Sequence, residues 1–269
     1  MYKRSISTTR IKKGKKIKEM DEVLVETPID IFINSQPLVN IVCLPKDLQD
    51  LALGFLFSVG LIDSVNDVKD IVIDEQEQKV ELTLDDSKLD LLKTLELTPV
   101  SRVIDTSCGI PSPWRTIIKN ALITSNESLQ NSEKLKVKAE IISNSIIKMQ
   151  KETELFRATG GCHGAALFDR EGTLIAIKED IGRHNAIDKV IGDILQRKEH
   201  FNDKILTTTG RLTGDSVLKA IRANIPIIAS LSAAIDSGIK LAQDYGMTLI
   251  GFVRGAGMNI YTHEQRIIL

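Results

Sequence analysis

The chain has 269 residues, of which 42% are hydrophobic and only 4% aromatic, so aliphatic side chains must fill a sizeable core. Its formal net charge of -1 gives no global reason to expect nucleic acid or membrane binding. No apolar run approaches the length of a membrane span, and no apolar core segment of a secretory signal follows the basic start. The composition favours a cytoplasmic globular protein with one large domain or two modest ones.

The first segment, residues 1–21, is crowded with lysine and arginine between Lys3 and Lys18 and has no acidic residue in that stretch. Such a run predicts a solvated, disordered tail, with an anion- or partner-binding arm as the alternative.

Residues 22–132 begin with short β-type runs and one apolar helical face over Leu48–Gly60, which predicts a β-rich α+β portion. The β-type runs are Val23–Val25, Ile29–Ile33, Leu38–Cys43, Ile71–Ile73 and Val80–Leu84. The glycine- and proline-bearing stretch Thr106–Pro113 predicts a loop.

Strands alternate with helices over residues 133–269, which predicts an α/β domain with parallel strands. A hairpin signal comes first, because Asp169–Gly172 separates two apolar runs. The later strands are predicted at Ile205–Thr209, Pro226–Ser230 and Met247–Val253.

Three predicted strand ends are rich in small residues, at the edge where open α/β sheets bind ligands. Gly210 and Arg211 follow the first, Ser230–Ala233 ends the second, and Arg254 lies in the third, Phe252–Gly257. Glycine lets backbone N–H groups approach a ligand, and arginine grips phosphate with a fork of donors. Together the ends predict a pocket for a phosphorylated ligand. Each one alone reads as an ordinary βα turn, and no Walker loop or dinucleotide fingerprint is present.

The segment Glu179–Asn185 places Arg183 and His184 in a predicted strand-to-helix turn. These two residues are candidates for binding the same ligand. The alternative is structural, with Asp180 or Asn185 capping the helix and His184 satisfied in the interior.

The three cysteines differ in their surroundings, and their odd number without paired spacing favours free thiols. Cys43 lies in a β-type run and Cys162 beside His163, and both are predicted to be buried. Cys108 lies in a polar loop, where an exposed thiolate is a sulfur nucleophile within reach of a donor and an acceptor. No metal site is predicted, because the His-x-Glu and Cys-x-x-Cys patterns of a zinc deaminase are absent.

Several segments, in order, resemble the FdhD family, and the match runs from about residue 22 to the C-terminus. The ordered coincidence makes the resemblance specific. The matching segments are Glu26–Pro28, Gly54–Leu56, Thr106–Gly109, Phe156–His163, Glu179–Lys189, Gly251–Gly255 and Asn259–His263.

The resemblance implies a formate dehydrogenase accessory sulfurtransferase. Such a protein takes persulfide sulfur from a cysteine desulfurase and delivers it to the molybdenum cofactor before that cofactor enters formate dehydrogenase. It implies binding of the bis(molybdopterin guanine dinucleotide) form, which GDP would mimic, by a homodimer with a cytidine-deaminase-like α/β fold. Cys108 matches the persulfide cysteine. The cofactor-binding segment matches Phe252, Val253, Arg254, Gly255, Ala256 and Gly257.

One position departs from the family pattern, which reads Cys-Gly-x-Cys-Gly in this loop. Pro111 stands at the second cysteine, and Ser112 follows it. An internal disulfide within the loop is therefore excluded, and Cys108 would accept and pass on sulfur alone. The alternative function is a cofactor-binding chaperone or carrier in which Cys108 is incidental.

Overall fold

A computed structural model describes residues 2–85, 88, 103–104 and 135–269. It begins with a long antiparallel hairpin of β1 (Lys3–Lys12) and β2 (Lys15–Leu24). The two-residue turn has φ of 49° at Lys13 and 77° at Gly14, the positive values that a tight hairpin turn needs. The segment predicted as a disordered tail is therefore an ordered hairpin. The overlooked signal is the Lys13–Gly14 pair between two strand-length runs.

A five-stranded sheet follows, with the order β5-β6-β3-β4-β7. Buried and exposed side chains alternate along β3, where Ile29, Ile31 and Ile33 face the core. The helix α1 (Leu48–Ser58) follows β4, and a 3-10 turn, Val65–Asp67, precedes β5. The strands are β3 (Thr27–Ile33), β4 (Gln36–Cys43), β5 (Val68–Asp74), β6 (Lys79–Leu84) and β7 (Val103–Ile104).

A six-stranded sheet, ordered β10-β9-β11-β12-β13-β14, forms the second half. Its strands are β9 (His163–Phe168), β10 (Leu174–Asp180), β11 (Ile205–Thr208), β12 (Ile227–Ser230), β13 (Thr248–Arg254) and β14 (Gly257–Thr262). Parallel pairing, as predicted, joins β11, β12 and β13. The flanking strands run antiparallel, because short turns join β9 to β10 and β13 to β14. The fold is mixed α/β, and the cytidine-deaminase-like assignment stays a prediction.

Helices cover both faces of this sheet. They are α2 (Ala139–Glu152), α3 (Glu154–Thr159), α4 (Arg183–Gln196), α5 (Gly214–Arg222) and α6 (Asp236–Tyr245). Alternate residues of β9 show the two sides: Leu167 packs toward α4 and α5, whereas Phe168 packs toward α2. A small parallel pair of β8 (Val137–Lys138) and β15 (Ile267–Ile268) holds the start of α2. No helix in the described ranges is long and apolar enough to cross a membrane.

The two halves share one hydrophobic core, because α1 and α4 cross in close contact. A Cβ atom at Gly54 would lie 1.8 Å from the carbonyl oxygen of Asp188, and one at Gly192 would lie 1.9 Å from that of Asp50. Only glycine fits such a backbone-to-backbone approach. The predicted domain boundary between residues 132 and 133 lies outside the described residues.

Candidate functional site

The three small-residue segments predicted to line a pocket lie side by side at one edge of the six-stranded sheet. The Ser230 hydroxyl donates to the Gly210 carbonyl at 2.6 Å, and the Ser232 hydroxyl donates to the Thr209 carbonyl at 2.8 Å. The Phe252 N–H donates to the Ser232 carbonyl at 3.0 Å. Hydrogen bonds thus fix the relative positions of the ends of β11, β12 and β13, where open α/β sheets bind ligands.

A cationic group flanks these strand ends on the α4 side. Arg183 is the first residue of α4, and a Cβ atom at Gly210 would lie 2.8 Å from the Arg183 Cβ. Burial lowers the pKa of Arg183, and the charge of Arg211 lowers it further. Two neighbouring guanidinium groups repel each other unless an anion lies between them. The sequence prediction that Gly210, Arg211 and Arg183 share one site agrees with this arrangement.

The Arg183 side chain has a donor that its surroundings do not use. Its Nε is buried and has no hydrogen-bond partner in the part of the chain that the structure describes. Leaving such a donor unpaired costs roughly 1–3 kcal/mol. Because Arg183 also begins a helix, where backbone N–H groups are free, the position favours a phosphate or another anion.

His163 belongs to the same group. Burial lowers its pKa, and the charges of Arg183 and Arg211 lower it further against the opposing charge of Asp180, which favours the neutral ring. Its Nδ1 lies 3.1 Å from the Thr209 hydroxyl, which accepts a hydrogen bond from the Gly164 N–H, also at 3.1 Å. The Thr209 hydroxyl therefore links the His163 ring to the backbone at the start of β9.

A cavity of about 510 Å³ opens beside the cationic group, a size typical of small-ligand sites. The strand ends contribute Thr209, Ser232 and Arg254 to its wall. The opposite wall belongs to α2 and α3 and includes Gln150 and Phe156, which the sequence interpretation missed. Both read as ordinary residues of amphipathic helices, and only the packing of α2 against the sheet brings them to the cavity. The other residues of the wall are Ser143, Ile146, Ile147, Leu231, Val253 and Gly255.

The predicted cofactor-binding segment comprises the end of β13, a two-residue turn and the first residue of β14. Phe252 has a φ of 51°, a left-handed conformation that is unusual for an aromatic residue, and 40% of its surface is exposed. The Arg254 guanidinium lies 5.9 Å from the centre of the Phe252 ring. Val253 is buried in the core, whereas Gly255, Ala256 and Gly257 are exposed. An exposed ring on a hydrogen-bonded turn offers a stacking face to a planar base.

Most of the segment Glu179–Asn185 is structural. The Glu179 carboxylate accepts hydrogen bonds from the Leu155 and Phe156 N–H groups and so caps the start of α3. Asp180 is buried and pairs with Lys189 at 2.7 Å.

His184, a predicted ligand residue, is 4% exposed, and its Nδ1 lies 3.4 Å from the Ser216 hydroxyl. Because the ring is buried, it packs beneath the site and does not present itself to a ligand. In Glu179–Asn185, therefore, Arg183 is the side chain turned toward the strand-end group.

Two of the three cysteines are unreactive in this fold. Burial raises the pKa of the Cys43 thiol to about 12. Burial also raises the pKa of Cys162 to about 12, helped by the Glu179 carboxylate 3.8 Å from its sulfur. At neutral pH neither forms the thiolate that sulfur chemistry needs. Cys108, and with it Pro111, lies outside the described residues.

The strand β7 runs toward the cationic edge. It is parallel to β4, with Ile104 opposite Ile41, and β4 ends at Cys43, one residue before Leu44. The Leu44 N–H donates to the Asp180 carboxylate at 3.1 Å, three residues before Arg183. At Ile104, therefore, the chain is heading for the end of the molecule that holds the Arg183 group.

Comparison with known proteins gives a consistent picture. A family model described as the FdhD/NarQ family matches residues 24–268. A protein named "Sulfur carrier protein FdhD" from Sulfolobus acidocaldarius is 38% identical over 271 residues, which is 100% of both chains. Its namesake from Bacillus pumilus is 34% identical over 92% of this chain and 90% of its own. The crystal structure assigned to a formate dehydrogenase accessory protein from Desulfotalea psychrophila is similar with a TM-score of 0.76, at 27% identity and 100% coverage of both chains.

Proposed function

The chain belongs to the FdhD/NarQ family, and from that membership we propose that it is a sulfur carrier acting in the maturation of formate dehydrogenase. The carrier residue in this proposal is Cys108. The cargo is persulfide sulfur, the donor a cysteine desulfurase, and the acceptor the molybdenum cofactor in its bis(molybdopterin guanine dinucleotide) form.

The observation that carries the proposal is the state of the other two cysteines. Cys43 and Cys162 are buried, with pKa values raised to about 12, so neither can attack a donor at neutral pH. A carrier that uses a thiol must then use Cys108, the one other cysteine of the sequence.

The path of the chain supports this assignment. Cys108 lies four residues after Ile104, and four residues of extended chain span at most about 14 Å. Because β7 heads toward the cationic edge at Ile104, a tether of this length is compatible with delivery of sulfur to the anion-binding group.

The loading step conserves atoms and electrons. The Cys108 thiolate attacks the outer sulfur of the donor persulfide, a new S–S bond forms at Cys108, and the donor S–S bond breaks to release the donor thiolate. The number of electrons does not change. Release of the carried sulfur as sulfide needs two electrons, which a dithiol supplies by becoming a disulfide, and Cys108 then returns to the thiol.

The strand-end site supplies groups that suit the phosphates and base of a guanine dinucleotide. Arg183, with its unused Nε, and Arg211 offer charge to phosphates, and the exposed Phe252 ring offers a face to the base. The cavity beside Arg254 adds a volume of about 510 Å³. The chain's own residues in this scheme bind and orient the acceptor, and Cys108 alone makes and breaks covalent bonds.

The test is intact-mass spectrometry after incubation with a cysteine desulfurase and cysteine. We expect the wild type to gain the mass of one sulfur atom, which a reducing thiol then removes. Cys108→Ser should gain none, whereas Cys162→Ala, the matched control, should load like the wild type. A wild type that gains no sulfur, or one that carries it on another cysteine, would contradict the proposal.

A cofactor chaperone without sulfur chemistry is the second candidate, and Pro111 in place of the second loop cysteine favours it. One variant, Cys108→Ser, distinguishes the two functions. If Cys108→Ser binds GDP normally and still supports full formate dehydrogenase maturation, the chaperone function stands. If it binds GDP but supports no maturation, the sulfur carrier stands.

A further inference from the structure

The N-terminal hairpin, which we call the arm (Lys3–Leu24), packs against the rest of the chain at its base. The Val25 N–H donates to the Tyr2 carbonyl at 3.0 Å, and the Tyr2 and Leu24 side chains are half-buried. Most residues farther along both strands are exposed. Tyr2 and Leu24 pack against a small hydrophobic cluster, which we call the base cluster. Its buried members are Leu44, Leu155 and Cys162.

The base cluster also reaches the candidate ligand site. Phe156 and Ile181 are partly buried members of the cluster. Phe156 lines the cavity of about 510 Å³ as well, and Ile181 comes two residues before Arg183. One set of contacts therefore joins the base of the arm to the wall of the cavity and to the approach to the cationic group.

Leu24 makes a second contact on the same path. A Cβ atom at Gly161 would lie 3.6 Å from the Leu24 Cδ1, so the leucine side chain lies directly against this glycine. Gly161 stands between α3 and β9, two residues before His163. Its N–H donates to the Thr159 hydroxyl at 3.1 Å, and that hydroxyl donates to the Leu155 carbonyl at 2.8 Å. The link at Gly161 and the helix α3 are therefore tied together.

Helix α3 depends on these outside contacts for its position. It has six residues, and so short a helix is not stable by itself. Its first turn is fixed to the six-stranded sheet, because Glu179 accepts hydrogen bonds from the Leu155 and Phe156 N–H groups. Its other end meets the arm, since β2 packs against α3 and Leu24 covers Gly161.

We propose that Leu24 is a positioning residue for the ligand site at the strand ends. By holding α3 and Gly161, it keeps Phe156 in the cavity wall and His163 beside the cationic group. Leu24 acts through these residues and need not contact the ligand. This role rests on the proposed function, because GDP stands in for the acceptor that the site binds.

A leucine that only stabilised the fold would behave differently from a positioning residue. Truncation of the side chain would then lower the melting temperature and leave the affinity for GDP unchanged. Affinity and stability are therefore measured on the same samples, with the titrations made well below each melting transition.

Calorimetric titration with GDP compares the wild type with three variants. We expect Leu24→Ala to raise the Kd roughly 3–30-fold, because the wall and the link lose their support. Leu24→Met should bind within about 2-fold of the wild type, since a side chain of similar volume fills the same space. Ile17→Ala is the matched control, an aliphatic truncation on the same strand at a position that is 44% exposed, and it should bind like the wild type.

Hydrogen exchange followed by NMR tests the contact without any substitution. If a docked arm base favours GDP binding, bound GDP must favour the docked base in return. Saturating GDP should therefore slow exchange of the Val25 amide, whose hydrogen bond to Tyr2 closes the base. Exchange at Gly14, in the turn at the far end of the arm, should not change.

The outcomes separate this inference from the proposed function. Unchanged affinity in Leu24→Ala, an equal loss in Ile17→Ala, or Val25 exchange that GDP does not alter would overturn the role of Leu24 alone. A wild type that binds no GDP would remove the proposed ligand, and the role of Leu24 with it. Normal GDP binding by a chain whose Cys108 never gains sulfur would contradict the sulfur carrier and leave the role of Leu24 in place.

Discussion

Helix α4 carries positive charge in two different settings. In its middle, Lys189 is fully buried and pairs with Asp180 at 2.7 Å, while the buried Asp188 beside it pairs with Lys219 of α5. In its first turn, Arg183 has a buried Nε with no partner among the described residues and a like charge, Arg211, nearby.

The paired charges in the middle of α4 stabilise the fold, whereas the charge in its first turn is suited to binding a ligand. Lys189 also donates to the Leu44 carbonyl at 3.0 Å, and Ser58 of α1 donates to Asp188 at 2.7 Å, so the paired charges join the two halves of the chain. Arg183 and Arg211 form no ion pair within the described part of the chain, although the charge of Asp215 acts on Arg183 against that of Arg211. Charges whose partners come from the chain stabilise the fold, and charges that lack them are available to an anion.

The largest expected effect comes from breaking a buried pair. Lys189→Met leaves the Asp180 carboxylate without its counter-charge in the interior, and we expect a loss of about 3–5 kcal/mol in the free energy of unfolding. Urea denaturation measures it. Lys148→Met, at an exposed position on α2, serves as the control and should change stability by less than about 0.5 kcal/mol. A loss of similar size in both variants would mean that the buried pair has no special role.

The helix crossing gives the next largest effect. A Cβ atom at Gly192 would lie 1.9 Å from the Asp50 carbonyl oxygen, so Gly192→Ala must push α1 and α4 apart. We expect a destabilisation of about 3 kcal/mol, seen as a lower melting temperature in calorimetry. Asn144→Ala, an exposed change on α2, should leave the melting temperature almost unaltered. An unchanged melting temperature for Gly192→Ala would show that the crossing is looser than these distances indicate.

Removal of a strand-end cation should have the opposite pattern, with a loss of ligand affinity and no loss of stability. Arg183→Gln removes a donor and a charge from the proposed anion site, and we expect GDP affinity to fall roughly 10–100-fold, measured by calorimetric titration. Its stability should stay level or rise slightly, because the repulsion from Arg211 is removed. Arg170→Gln, in the exposed β9–β10 turn, is the control and should bind GDP normally. Unchanged affinity in Arg183→Gln would remove this residue from the site.

The smallest expected effect is the pH dependence of stability that comes from protonation of His163. Burial, Arg183 and Arg211 lower the pKa of His163 below 6.5 in the folded chain, whereas the unfolded chain titrates near 6.5. The unfolded state therefore binds more protons as pH falls through 6.5, and the contribution of His163 to stability decreases with falling pH.

Titration of the His163 ring by NMR measures this pKa directly. Saturating GDP should raise it, because phosphate charge offsets the two guanidinium groups. A ring that titrates at 6.5 with and without GDP would place His163 outside the electrostatic field of the site.

Local patterns predicted much of the fold. The alternation along β3, the apolar face of α1 and the strand–helix order after residue 160 all follow from the period of burial. The N-terminal hairpin of β1 and β2 was missed because its run of lysines was interpreted as a solvated tail, although Lys13–Gly14 is a turn signal.

The site was predicted only where its residues follow strands. The proximity of Gly210, Arg211 and Arg183 could be predicted because strand ends meet at one edge of a sheet, whereas their binding of a ligand stays a prediction. The roles of Gln150, Phe156 and Gly192 depend on which helix packs against which element, and no local pattern specifies that packing. The placement of Cys108 stays a prediction.

The small pair of β8 and β15 has a consequence for folding. Ile267 pairs with Val137, and Lys136 donates to the Gln265 carbonyl at 2.6 Å across 129 positions of sequence. Contacts between residues so far apart close a long loop, which makes them slow to form. The wall of the cavity that α2 provides is therefore fixed by a long-range pairing, and helix formation in α2 alone does not place it.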